Sequence, residues 1–152
     1  MDKILEGLRA IPWRYAPQDP AARTELGRRI AEAGRQEQLI TYSDLVKNVT
    51  FILPSLREPE HTIDTAEWQD IDRAIVGDFL GYLSMESYEL GGFFASALVV
   101  TKENRLPGEG YYNLLRELGL IKSSKTDKAV YLWADHVQKA QDWYRTHGGA
   151  VR

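Results

Sequence analysis

TAEWQDIDRAIVGDFLGYLSMESYELGG, residues 65–92, is the stretch whose reading decides the fold. Trp68, Ile71, Ile75, Phe79 and Leu83 recur every three or four residues, the spacing of one helical face. Thr65 or Asp64 can cap the start of such a helix, and the pair Gly91-Gly92 can end it. Gly77 and Gly81 lie inside the pattern, where each costs about 1 kcal/mol relative to alanine. They mark close packing or a bend. A long central helix is therefore expected, and the rest of the chain is arranged around it.

Downstream, FFASALVVTK (93–102) reads as a buried strand, apolar and β-branched at its end. NRLPGEG (104–110) is a turn, YYNLLRELG (111–119) a short helix that Gly119 terminates. KSSKTDK (122–128) is a polar loop. Val130, Trp133, Val137, Ala140 and Tyr144 then stripe a last amphipathic helix before Gly148-Gly149. Upstream, Ile4, Leu5, Leu8 and Ile11 make a first helix ended by Pro12, and Leu26, Ile30 and Ala33 a second, highly charged one after Pro17 and Pro20. Thr41 caps a short helix with Asp44 three residues on. Residues 50–64, with Pro54 and Pro59, read as a connecting loop. The fold class is mainly α with a small β-sheet (α+β), in one domain over 1–152.

Composition narrows the function classes. With 152 residues and 43% apolar side chains the chain can bury one sizeable core. It has no cysteine, which removes disulfides, thiolate zinc sites and a cysteine nucleophile, and suits a cytoplasmic location. The start MDKILEGLRAIPWRY reads as neither signal peptide nor membrane anchor, so no membrane partner is expected. Lys+Arg number 7 against 6 Asp+Glu over residues 1–37, 3 against 10 over 38–100, and 9 against 6 over 101–152. A polyanion should meet the two ends rather than the acidic middle.

The chemistry-bearing residues form no familiar motif. His61, His136 and His147 are scattered, too far apart in sequence for one metal, and are expected on the surface. Glu67 and Asp70, three apart on the central helix, could hold a divalent metal or act as acid and base, which would make a metal-dependent hydrolase. A solvated helix face bearing Asp70, Asp72 and Asp78 explains the same residues. Ser43, Ser84, Ser87 and Ser96 have no Gly-x-Ser-x-Gly elbow around them. GEGYYNL places backbone amides at a helix start, an anion site or a plain cap. Trp13, Tyr15, Tyr42, Tyr88, Tyr111, Tyr112, Trp143 and Tyr144 exceed what a small core needs, and a surplus at the surface would suit a protein partner. No catalytic set, metal or cofactor is expected.

From residue 41 to about 121 the order of features resembles the C-terminal domain of the methylguanine-DNA methyltransferases and alkyltransferase-like proteins. TYSDL (41–45) stands for that family's Thr-Tyr-Gly helix opening, and Arg73, Ala74, Ile75, Val76 and Gly77 for its Arg-Ala-Val-Gly helix with one extra residue. With Val99 and Val100 on the family's two valines, Ala95, Ser96, Ala97 and Leu98 occupy the four positions of its Pro-Cys-His-Arg strand. Leu106–Gly110 resembles the wing, and Leu114–Leu118 the short leucine-rich helix after it. The reactive cysteine is serine here, so the resemblance implies no alkyl transfer. The stretch ALVVTKENRLPGEGYYNLLRELG also looks like a motif of small uncharacterised bacterial proteins. The resemblance implies a winged-helix-like core (41–121) between N-terminal helices (1–40) and a C-terminal helix (122–152), and a non-enzymatic module associated with DNA. Its central helix would face phosphates with three aspartates and only Arg73 to answer them. The expected contacts are therefore Lys102 and Arg105 in the wing, Arg28, Arg29 and Arg35 on the second helix, and Arg73. A protein–protein adaptor, homodimeric or not, is the alternative.

Overall fold

A computed structural model describes residues 2–147. Its elements in chain order are α1 (Lys3–Ala10), α2 (Pro20–Arg35), β1 (Ile40–Thr41), α3 (Tyr42–Val46), β2 (Thr50–Ile52), β3 (Glu60–Thr62), α4 (Asp70–Gly91), β4 (Val99–Val100), α5 (Glu109–Glu117) and α6 (Asp127–His147). Short 3-10 turns at Ala16–Gln18 and Ala95–Leu98 complete them. The chain is thus mainly α with little β structure. β1 pairs in parallel with β4, and β2 with β3 antiparallel, so the strands form two separate pairs.

α4 is the central helix, but it begins later than its apolar spacing suggests. Asp64 spends its side chain on a turn of its own, accepting from the N–H of Ala66 at 2.9 Å. The helix starts after Gln69, whose N–H donates to Asp72 at 2.9 Å, three residues into the helix. That reciprocal arrangement satisfies a donor the first turn leaves over. At the far end Gly92 adopts φ 75°, and its N–H donates to the carbonyl of Tyr88. This left-handed cap is where glycine costs least. Ile75, Val76, Phe79, Leu80 and Leu83 of α4 are buried, and side chains of this size stabilise by about 1.5–3 kcal/mol each when fully covered.

The segment 93–100 is not one strand. Phe93 and Phe94 are fully buried, Ala95–Leu98 forms a 3-10 turn, and only Val99–Val100 is extended. Side chains have taken the place of strand neighbours. Ser87 Oγ accepts from the N–H of Ala95 at 2.9 Å and Ser84 Oγ from that of Ser96 at 3.1 Å. From the other side, His136 Nδ1 accepts from Phe94 N–H at 2.9 Å, and Trp133 Nε1 donates to the Ala97 carbonyl at 2.8 Å. Buried backbone groups must be paired, and here α4 and α6 supply the partners.

Residues 50–64 form a hairpin where a plain loop was expected. Phe51 points under it onto Phe79, ring centroids 5.1 Å apart, while Thr50 and Ile52 face out. The alternation spans only three residues per strand, too short to register in sequence, and Pro54 and Pro59 sit outside the ladder. Two buried clusters result. One gathers Leu26, Ile30, Leu45, Phe51 and Phe79, the other Leu8, Phe94, Tyr111, Leu115 and Ala129. Val137 of α6 packs against both.

Candidate functional site

A groove of about 1300 Å³ opens along the N-terminal half of α4. Its lining includes Thr41, Tyr42 and Ser43 at the start of α3, Lys102 and Glu103, and the first turn of α5. Ile11 and Trp13 from the segment after α1 and Ser96 of the 3-10 turn are also part of it.

The two glycines of α4 divide the work there. A Cβ at Gly81 would run into the indole of Trp13, so this glycine lets the N-terminal arm seat against the helix. A Cβ at Gly77 would meet nothing within 4 Å, so that position is a bare stretch of helix facing open space. The arm is bolted down one turn earlier: Asp78 accepts from the N–H groups of Arg14, Tyr15 and Ala16 at 2.9, 2.8 and 2.8 Å. Within the lining, Tyr42 Oη accepts from Gly108 N–H at 2.9 Å. Burial pushes the Tyr42 phenol above its ordinary range. That bond also uses the amide at the start of α5, which sequence had offered as an anion site.

The aspartates of α4 do not form the solvated face expected of them. Asp70 alone is fully exposed, and it pairs with Arg73. Asp72 is buried against His61, whose Nε2 lies 2.6 Å from its Oδ1, and Asp78 is committed to the arm. Glu67 falls in the loop before α4 and not on the helix, and neither it nor Asp70 lines the groove. Among the described residues no three His, Cys, Asp or Glu side chains come together in a way that could hold a metal.

Lys102 and Arg105 ride on a tight turn between β4 and α5. Thr101 N–H donates to the Leu106 carbonyl and Arg105 N–H to that of Thr101, while Asn104 Oδ1 accepts from the Thr101 hydroxyl and from Leu106 N–H. Arg105 has φ 60°, a left-handed conformation costly for a residue with a Cβ. Neither cation has an ion-pair partner among the described residues. Arg73 lines the same groove as Lys102, 3.1 Å from the exposed carboxylate of Asp70.

The α2 arginines are elsewhere. Arg29 is half-buried and donates to the carbonyls of Asp44, Leu45 and Lys47, capping the end of α3. Arg28 and Arg29 both bond Glu25 and hold its carboxyl down to about 2. Arg28 lines a separate cleft of about 350 Å³ with Leu83, Glu86 and Trp143. Arg35 pairs with Glu32. Lys102 and Arg73 thus line one groove, Arg105 belongs to the same turn as Lys102 but not to the lining, and Arg28, Arg29 and Arg35 are absent from it.

Two further expectations change. His136 is buried, packed on Phe94 at 4.7 Å, and desolvation lowers its pKa to about 4; His61 is half-buried. Only His147, stacked on Trp143 at 4.4 Å, is exposed. The aromatics counted as surplus turn inward: Tyr15, Tyr111 and Tyr144 are buried, and Trp13, Tyr42, Tyr88, Tyr112 and Trp143 half-buried. The one strongly exposed ring belongs to Tyr131, 72% accessible. Gly148-Gly149, expected to end the last helix, lies outside the described residues. No helix of the described residues is long and apolar enough to cross a membrane. Compared with protein-family models, curated proteins and solved structures, the chain matches none.

Proposed function

We propose that this chain is a non-enzymatic binding module that associates with nucleic acid through the turn carrying Lys102 and Arg105, with Arg73 of the groove as the third cation. The observation that carries the reading is the pairing of unspent charge with a rigid turn. Lys102 lines the groove and Arg105 follows it on the same turn, which four hydrogen bonds tie together. Preorganised cations lose little entropy on meeting phosphates, and phosphate neutralisation supplies most non-specific affinity.

The acidic helix opposes this reading less than its sequence implies, because Asp72 and Asp78 are occupied inside the protein. Asp44, Glu103, Glu109 and Glu117 still line the groove, so binding is modest at physiological salt. Three phosphate contacts on a single strand give a slope of about −2 in log affinity against log salt. On the same reading the chain works in the cytoplasm, where a cysteine-free protein loses nothing to the reducing environment.

The test is a fluorescence-anisotropy titration with a short duplex and a single strand at low and physiological salt. Affinity should fall with salt and be lost in Lys102→Glu/Arg105→Glu. A protein that is folded yet binds neither strand at low salt would end the proposal.

A further inference from the structure

The cleft of about 350 Å³ among α2, α4 and α6 shares no lining residue with the groove. Its apolar lining is core surface left open: Ile30, Leu83, Phe93 and Ala95 are buried residues that still border it. Leu90, near the end of α4, also lines it and is 69% exposed. A concavity of this size with an apolar lining and few polar groups suits a small organic molecule.

Most of those polar groups are already spent. Ser87 Oγ donates to the Phe93 carbonyl at 2.8 Å and accepts from Ala95 N–H at 2.9 Å. Arg28 is bonded to Glu25, and Arg23 donates to the Ala16 carbonyl at 2.6 Å while lying over the Tyr82 ring. Besides the exposed Thr24 hydroxyl, two side-chain oxygens are left. Glu86 makes no ion pair among the described residues, and burial pushes its carboxyl above the ordinary range although Arg23 draws it down. Tyr144 is 5% exposed, and burial alone raises its phenol, with no hydrogen-bond partner. Its hydroxyl is nevertheless open: the partnerless polar atoms sealed from solvent are Trp13 Nε1 and Tyr111 Oη. Cβ, Cγ and Cδ2 of Tyr144 crowd Gly34, which lies outside the lining, so the far end of the ring, with Oη, faces the cleft.

We infer that this cleft binds a small organic ammonium compound, whose charge pairs with Glu86 and whose apolar body lies on Ile30, Leu83 and Phe93 beside the Tyr144 hydroxyl. The sign of the charge follows from what is spent. Both lining arginines already hold oxygen acceptors, whereas Glu86 is the one lining carboxylate and holds no cation. A partly desolvated charge is costly until it is paired, and the ligand's body removes apolar surface from water at the same time. Trp143 adds to the lining a ring of the kind that attracts cations. The site stands independently of the nucleic-acid reading.

The probes are 2-phenylethylamine and the anion 3-phenylpropionate, titrated into the full chain at neutral pH while amide and indole N–H shifts are followed by NMR. The amine should move the signals of Gly27, Leu83 and the Trp143 indole saturably, with a Kd of about 1 mM. Glu86→Gln should weaken that binding at least about fivefold. Glu89→Gln, three residues on and outside the lining, should leave it unchanged. The inference is overturned if the anion binds as tightly as the amine, or if Glu86→Gln binds the amine like the wild type. Absence of any saturable shift in the folded protein up to about 10 mM amine would overturn it as well.

Discussion

α2 and the turn at 101–107 each carry exposed-looking cations in the sequence, yet they use them in opposite ways. On α2 a glutamate stands three or four residues from every arginine named: Glu25 from Arg28 and Arg29, Glu32 from Arg35. The helix closes those pairs on itself, and Arg29 goes on to cap α3. In the turn, Lys102 and Arg105 have no such geometry, and Glu103 between them pairs with neither. Counting basic residues along the chain therefore misleads, whereas spacing to the nearest carboxylate within one helix is informative.

Arg29→Ala tests the contrast most severely. It removes a charged donor from three carbonyls and from Glu25, and should cost about 3 kcal/mol in urea unfolding while leaving strand affinity of the folded protein unchanged. If affinity fell with stability intact, α2 would belong to the interface after all. Next in size is acid. The folded-state pKa of His136 is lowered to about 4, so the unfolded chain binds the extra proton between about pH 6.5 and pH 4. Its contribution, on the order of 3 kcal/mol, is present above pH 6.5 and lost as pH falls toward 4. Unfolding at a series of pH values should show that loss in the wild type and not in His136→Gln. Over the same range the hydrogen bond from Phe94 N–H to the imidazole is lost and the clamp on residues 94–97 loosens. Smaller still, Lys102→Glu/Arg105→Glu should shift the melting temperature by no more than about 1 °C, since neither side chain is paired. Arg35→Ala should be as mild in melting and silent in binding, because exposed ion pairs contribute little.

These contrasts also mark how far the sequence could be read. Helical periodicity located α1, α2, α4, α5 and α6, since a period of 3.6 sustained over two or more turns is a strong signal, and Thr41, Gly92 and Gly119 act at helix ends as their chemistry suggests. Failures cluster where side chains replace backbone partners. Phe93–Val100 has the composition of a strand, but Ser84 and Ser87, one helix away, decide its shape. Asp72, Asp78 and His136 look like surface charges because their neighbours in sequence are polar, whereas their partners lie 11, about 63 and 42 residues away. The groove was legible in part. Lys102 and Arg73, which line it, were named from the sequence, but Trp13, seated against Gly81, read as a generic aromatic, because no local pattern announces a partner so distant in the chain.

The serine clamp has a consequence for the life of the chain outside its native state. Residues 93–100 are eight consecutive uncharged positions without proline, rich in phenylalanine and valine at their ends. Such a segment, once free, pairs readily with copies of itself into cross-β aggregates. In the native protein its amides are handed to hydroxyls, an imidazole and an indole, and the short β1–β4 pair leaves little ladder for a neighbour to extend. Two serines on α4 thus keep two of this segment's amides occupied in the folded protein. Heat-unfolded protein should precipitate instead of refolding, and faster when Ser84 and Ser87 are both replaced by alanine.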